Sequence, residues 1–494
     1  MHIEKKECKT ESKIPLHTCR PLQGDASQGT FLEAHGNITD DISHTIKNRS
    51  ELLSHGDREL REAALDIVEY ALKEANPYKK VKELVKLKGD TLWVGENKFD
   101  LNIHKRIYVF GAGKATFPMA KALDEILGSR ITDGVVICKH GQSGTLDNCR
   151  LRFGGHPIPD ESGHAAAKET MEIIKQTKEN DIVFSITTGG STAMMPYPVE
   201  GVTLEDKRKT GELLLRSGAT MWEMNYVRSH LTQIKAGLMG KIIHPKAVII
   251  NLGVADGIGQ GVDDCVDTTT ACFCSFDDAR NVLSKYDLWD KVPQSVSQYI
   301  KNGTEEQEIP RDLDDHILYN YLLVEVNDAV DAAYDKAVEM GFNTMILSTF
   351  IEGDSRELGD FLGSVGMEIK YNGRPLKTPA AVIVGGESMQ KINIPDPGEG
   401  GPSQQLSLSA ATKLKDHPGI VLCGIDTDGT DGPTDLAGGL VDSTTMQRAE
   451  EKTLDLYRYM DEFNDSVALR ALGDAIRTGA TGTNVNDLRV LLVR

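Results

Sequence analysis

From Lys105 onward the chain alternates short, wholly apolar runs with amphipathic stretches. RIYVF (106–110), GVVIC (134–138), DIVFSI (181–186) and AVIINL (247–252) read as strands, and 116–127, 162–177 and 203–217 as helices between them. Apolar strands separated by helices predict a parallel sheet covered on both faces. Upstream, Leu60, Ala63, Ala64, Ile67, Val68, Ala71 and Leu72 recur at helical spacing after Asp57, with Pro77 just past the end. The alternation pauses over the polar stretch 285–316. It resumes with a helix over 319–340, NTMILS (343–348), a helix over 352–365, AAVIVGG (380–386), a helix over 403–414, GIVLCG (419–424), a helix over 444–458 and a last strand, RVLLV. The pattern predicts two α/β domains, an N-terminal Rossmann-like parallel sheet in 49–300 and a second α/β domain in 317–494. Ligand is expected in the cleft between them, at the carboxyl ends of the strands. Residues 1–48 are polar and aperiodic and read as an extension.

Composition narrows the function classes. Of 494 residues, 39% are hydrophobic and 26% charged, which suits a globular protein with a large core. Lys plus Arg is 55 against 74 for Asp plus Glu, a net charge of −19. That balance argues against general binding to nucleic acid or anionic membranes, while leaving small anions as ligands. No apolar run reaches the length of a membrane span, and the N-terminus lacks the apolar stretch of a signal peptide, so a cytoplasmic protein is expected. The eight cysteines are scattered. The tight pair Cys272 and Cys274 has no second pair at metal-ligand spacing.

Several strands run into Gly-rich, polar loops. RIYVF-GAGKA ends on Lys114 at a strand-to-helix junction, a position that suits an anion, although the Walker and dinucleotide fingerprints are both absent. A plain turn would read the same. DIVFSI-TTGGST repeats the arrangement, with Gly189 and Gly190 permitting close backbone approach and Ser191 and Thr192 supplying hydroxyls. On 225–235, Asn225, Arg228 and Lys235 share one helical face, which fits a solvated stripe as well as a ligand face. GIDTDGTDGPTDLAGG (424–439) crowds Asp426, Asp428, Asp431 and Asp435 after an apolar strand, and Thr430 and Ala437 exclude an EF-hand. Such crowding calls for a cation or donors, and Mg2+ shared with phosphates accounts for it. TGATGTNVNDL (478–488) offers Asn484 and Asn486 as hydrogen-bonding groups.

These loops, in this order, resemble the glycerate 2-kinase family, whose C-terminal part is the MOFRL domain and whose members are often labelled hydroxypyruvate reductase. The resemblance rests on GAGKA (111–115), HPIPDES (156–162), TTGGSTAMM (187–195), NYVRSHLTQIKAG (225–237), GGES (385–388), DTDGTDGPTDLAGGLVD (426–442) and TGATGTNVNDL (478–488). It implies phosphorylation of the 2-hydroxyl of D-glycerate or a related 2-hydroxy acid, with ATP and Mg2+ as cofactors. It further implies Lys114 as the catalytic lysine and Asp256 as base or metal ligand. Gly113, Ser191, Arg228, Lys235 and Arg356 fall to the substrate, Gly189, Gly190, Asn484 and Asn486 to the nucleotide, and Asp428 and Asp431 to the metal. The partners implied are the hydroxy acid and the nucleotide, with no nucleic acid or membrane, and a homodimer is compatible with the resemblance.

Three positions depart from the family pattern. Pro402 stands where the family carries an arginine, 265–270 differs from the family's Ile-Ala-Ser-Gly-Pro-Thr, and Gln260 replaces an aspartate. A rewired kinase is the reading these changes leave in front. An NAD(P)H-dependent hydroxypyruvate reductase and a ligand-binding member without turnover are the alternatives.

Overall fold

The structure, a computed structural model, describes residues 45–261 and 268–494. Cys265–Asp267 of the departing segment and most of the N-terminal extension therefore lie outside the described residues. Two six-stranded sheets organise the rest. The first runs, in spatial order, Arg150–Gly154, Ile131–Lys139, Ile107–Ala112, Ile182–Thr187, Val248–Val254 and Ile317–Val324, every neighbouring pair parallel. Relative to chain order this is 3-2-1-4-5-6, the doubly wound dinucleotide-fold arrangement, whose order reverses between Ile107–Ala112 and Ile182–Thr187. Its middle strands are buried throughout, as continuous Val and Ile runs require when helices cover both faces.

The second sheet is mixed. Asn343–Asp354 and Ala380–Met389 pair in parallel, and the C-terminal strand Asp487–Val493 then inserts antiparallel between Ala380–Met389 and Ile420–Asp426. Gly438–Asp442 and Ala475–Ile476 complete it. One consequence is chemical. Glu352 pairs with Glu387, Gly386 with Asp487 and Asp487 with Asp426, so one end of this sheet carries a row of carboxylates.

Several elements differ from the sequence reading. Residues 317–324 form the edge strand of the first sheet rather than the start of a helix, and the helix is Val326–Glu339. Tyr319 and Tyr321 pack on the first sheet's core. Conversely, helix Arg58–Glu74 buries Leu60, Ile67 and Val68 against Val330, Val421 and Val490 of the second sheet's layer. The layers thus do not follow a division into 49–300 and 317–494. The polar stretch after 285 contains helix Gln294–Asn302, whose Val296 and Ile300 join a satellite core with Leu214, Val227 and Leu283. A three-stranded antiparallel meander, Val85–Lys88, Thr91–Val94 and Asn97–Asp100, was not anticipated, and 444–458 divides into Thr444–Glu451 and Leu456–Asp461. Among the described residues, no helix is long and apolar enough to cross a membrane.

Candidate active site

The two strands flanking the reversal point of the first sheet deliver the two Gly-rich loops side by side, and the Lys114 N–H donates to Gly189 O at 3.0 Å. Gly113 is tied down by its own N–H, which donates to Ile137 O at 3.2 Å. Gly189 must be glycine: a Cβ there would overlap the Asp256 carboxylate and the Asn484 side-chain amide. Ser191 is buried and opens a one-turn helix, its N–H donating to Thr188 O. Its neighbour Thr192 accepts from the Lys235 ammonium at 2.5 Å.

The acidic loop of the second sheet meets these loops. Lys114 Nζ lies 2.5 Å from Asp428 Oδ2, both side chains largely buried. Burial works against both charges, but each partner supplies more than burial removes. The Lys114 pKa is raised, with Asp426 and Asp256 helping, and that of Asp428 is lowered, with Thr430 N–H and Oγ1 donating to Oδ1 at 2.6 Å. Asp426 is driven the other way, well up, by burial and the adjacent Asp428 charge. Asn486 ties the two sheets together, since its Nδ2 donates to Asp256 O at 2.5 Å and to Glu387 Oε2 at 3.2 Å. Asn484 Nδ2 reaches Asp256 Oδ2 at 3.4 Å.

Gly113, Lys114, Gly189, Gly190, Ser191, Asp256, Asp428, Asn484 and Asn486 are therefore brought into one cleft, with Lys235 joined through Thr192. Three further residues expected at the site have surroundings of different kinds. Arg228, on helix Met221–His230, has neither ion pair nor side-chain hydrogen bond among the described residues, and burial lowers its pKa. Arg356 pairs with Asp461 at 2.5 Å in a surface groove with Asp360, Lys413 and Tyr457. Asp431 is engaged by a helix. Its carboxylate caps helix Pro402–Leu414, accepting from Ser403 N at 3.0 Å and Gln404 N at 2.8 Å, and from the Gln404 amide. Burial, then Asp487, pushes it up to about 7. This cap also accounts for Pro402, which occupies the first helical position, where a missing N–H costs nothing.

Sequence reasoning missed three members of the cleft. Glu387 lies near the end of the strand Ala380–Met389, in GGES, where desolvation, then Asp487 and Asp256, push it up to about 7. Lys139 ends the strand Ile131–Lys139 and donates to Thr430 Oγ1 at 3.1 Å. His156, in HPIPDES, lies against Gly190 and is pushed down to about 3 by burial, Lys114 and Lys139. The sequence signal for all three was a charged or imidazole group directly after an apolar strand or inside a matched segment. His230 has an ordinary structural role between Tyr226 O and Glu308.

A metal fits the cleft only in part-protein form. Among the described residues no three His, Cys, Asp or Glu side chains converge as a metal cage, and Cys272 and Cys274 lie side by side without a third such ligand. Mg2+ needs only one or two carboxylates when phosphates supply the rest, and Asp428, with Asp426 beside it, provides them.

Residues 63–301 match a domain of unknown function, DUF4147, and residues 380–487 match the MOFRL family. The chain is 37% identical over 439 residues to a glycerate 2-kinase of Pyrococcus horikoshii, covering 88% of this chain and 98% of that one. It is 37% identical over 442 residues to a D-glycerate 2-kinase of Thermotoga maritima, with the same coverage. The crystal structure of a Thermotoga maritima glycerate kinase superposes with a TM-score of 0.72 at 36% identity, covering 88% of this chain and all of that one.

Proposed function

Because the chain belongs to the glycerate 2-kinase family, we propose that it transfers the γ-phosphoryl group of ATP to the 2-hydroxyl of D-glycerate or a closely related 2-hydroxy acid, with Mg2+. The observation that carries the proposal is the Lys114–Asp428 pair, a cation from the reversal-point loop of one sheet held by the acidic loop of the other.

Phosphoryl transfer involves little covalent chemistry for the protein to perform, so positioning and charge stabilisation supply the rate. Lys114 is permanently charged and held in place by Asp428, and it stabilises the negative charge that spreads over the transferring group. Gly189 and Gly190 let the backbone approach the nucleotide, with Asn484 and Asn486 orienting it. Gly113, Ser191, Lys235 and Arg228 serve the hydroxy acid, with Arg228 suited to its carboxylate because, among the described residues, no anion pairs with it. Asp256 accepts the hydroxyl proton. Asp428 is the carboxylate best placed for Mg2+, which when bound neutralises the phosphate oxygens. Arg356 and Asp431 are left out of this assignment, since Asp461 and a helix N-terminus already engage them.

The test is an ADP-release assay over a panel of 2- and 3-hydroxy acids with ATP and Mg2+, run beside NADH with hydroxypyruvate. Release of ADP dependent on D-glycerate or a near analogue supports the proposal. Consumption of NADH without ADP release refutes it in favour of a reductase.

A further inference from the structure

Lys139 and His156 have no role in the assignment above, yet they stand at its centre. Lys139 ends the strand next to Ile107–Ala112, and among the described residues its ammonium reaches only the Thr430 hydroxyl, itself bonded to Asp428. No carboxylate lies within ion-pair distance of it among the described residues. Lys114, by contrast, is balanced by Asp428 at 2.5 Å. The His156 ring lies beside Gly190, where a Cβ would come within 3.0 Å of Cδ2. Its nitrogens have no hydrogen-bond partner among the described residues.

Two lysines and an imidazole are thus packed around the Gly-rich loops with one protein carboxylate paired to them. Burial lowers the Lys139 pKa, and the Lys114 charge lowers it further, against the pull of Asp428 and Asp426. Both lysines work to keep His156 neutral. A lysine without an ion-pair partner beside a neutral imidazole with no hydrogen-bond partner offers donors to an added anion. One carboxylate brings a single charge, whereas a chain of phosphates brings several and has oxygens enough for Lys139, His156 and the backbone of Gly189–Gly190 together.

We propose that Lys139 and His156 form a polyphosphate subsite, which takes the terminal phosphates of the nucleotide rather than the carboxylate of the hydroxy acid. The identification of a nucleotide rests on the kinase reading, but the subsite is testable without turnover.

Tripolyphosphate and D-glycerate serve as separate probes in calorimetric titrations of the full chain, without Mg2+. Lys139→Met is expected to weaken tripolyphosphate about tenfold, the loss of one charged hydrogen bond, and D-glycerate by less than about twofold. Lys139→Arg should retain most of the tripolyphosphate affinity. His156→Asn, which leaves both lysines in place, should weaken the same probe by about threefold. Tripolyphosphate binding by folded Lys139→Met or His156→Asn that equals the wild type overturns the subsite, as does a loss confined to D-glycerate. If the variants lose tripolyphosphate but the wild type phosphorylates no hydroxy acid, the subsite stands and the kinase reading falls. If the wild type is an active kinase and both variants bind as it does, the reverse holds.

Discussion

At the scale of single residues, the account turns on charges whose partners come from the other sheet. Removing Lys114 strands Asp428 as a buried, unpaired carboxylate. Lys114→Met is therefore expected to lower kcat by about 10³-fold and stability by about 3 kcal/mol. Adding Asp428→Asn should restore stability without restoring rate. Urea titrations and steady-state kinetics on the three variants check this, and a double variant no more stable than Lys114→Met would contradict the pairing. Lys114 was legible in the sequence because a lysine after a Gly-rich strand end is a recognisable arrangement. Lys139 was not, because a strand-ending lysine is commonplace and only the fold places it beside the reversal point. Asp431 is ambiguous in a different way. An aspartate in an acidic turn reads equally as metal ligand or helix cap, and only the position of helix Pro402–Leu414 decides between them.

At the scale of elements, that helix start deserves the sharpest prediction. Gly401 is extended, Pro402 occupies the first turn, and Asp431 satisfies the next two N–H groups. Asp431→Ala should cost about 1–2 kcal/mol in thermal or chemical unfolding, as cap losses do, and leave the Mg2+ concentration giving half-maximal rate unchanged. A shifted Mg2+ requirement at unchanged stability would return Asp431 to the metal. Pro402→Arg adds an N–H at a position that has no use for one, and it should not raise kcat/KM tenfold. Strands buried on both faces, such as Ile182–Thr187, were legible as continuous apolar runs. Ile317–Val324 was not. It is an edge strand with an exposed face, and its spaced apolar residues continue into Val326–Glu339 with no break in helical periodicity. The meander over 85–100 was hidden by its short strands, although Gly89 and Gly95, both at positive φ, mark its two turns.

At the scale of the whole molecule, the elements packed on the second sheet bury two carboxyl groups, Asp465 at the start of helix Asp465–Leu472 and Asp431, whose ionisation the fold resists. Burial raises Asp465 to about 8 and Asp431 to about 7. Such groups hold their proton in the folded chain at pH values where the unfolded chain has released it. Their stabilising effect is thus complete below about pH 4 and lost as pH rises through 7 to 8, at up to about 1.4 kcal/mol per pH unit for each group. Asp465→Asn should flatten the decline in unfolding free energy between pH 5 and 8, and superimposable pH profiles would contradict the assignment. Strand order was beyond sequence reading, since alternating strands and helices do not say which crossovers reverse direction. The reversal and the insertion of Asp487–Val493 nevertheless bring the Gly-rich and acidic loops together. The central claim is that this junction phosphorylates a 2-hydroxyl. The most direct measurement is 31P and 13C NMR of the product formed from D-glycerate, ATP and Mg2+ by the wild type and by Lys114→Met. The account predicts D-glycerate 2-phosphate from the wild type and about a thousandth of that rate from the variant. A phosphate on the 3-hydroxyl, or an undiminished rate in Lys114→Met, would contradict it.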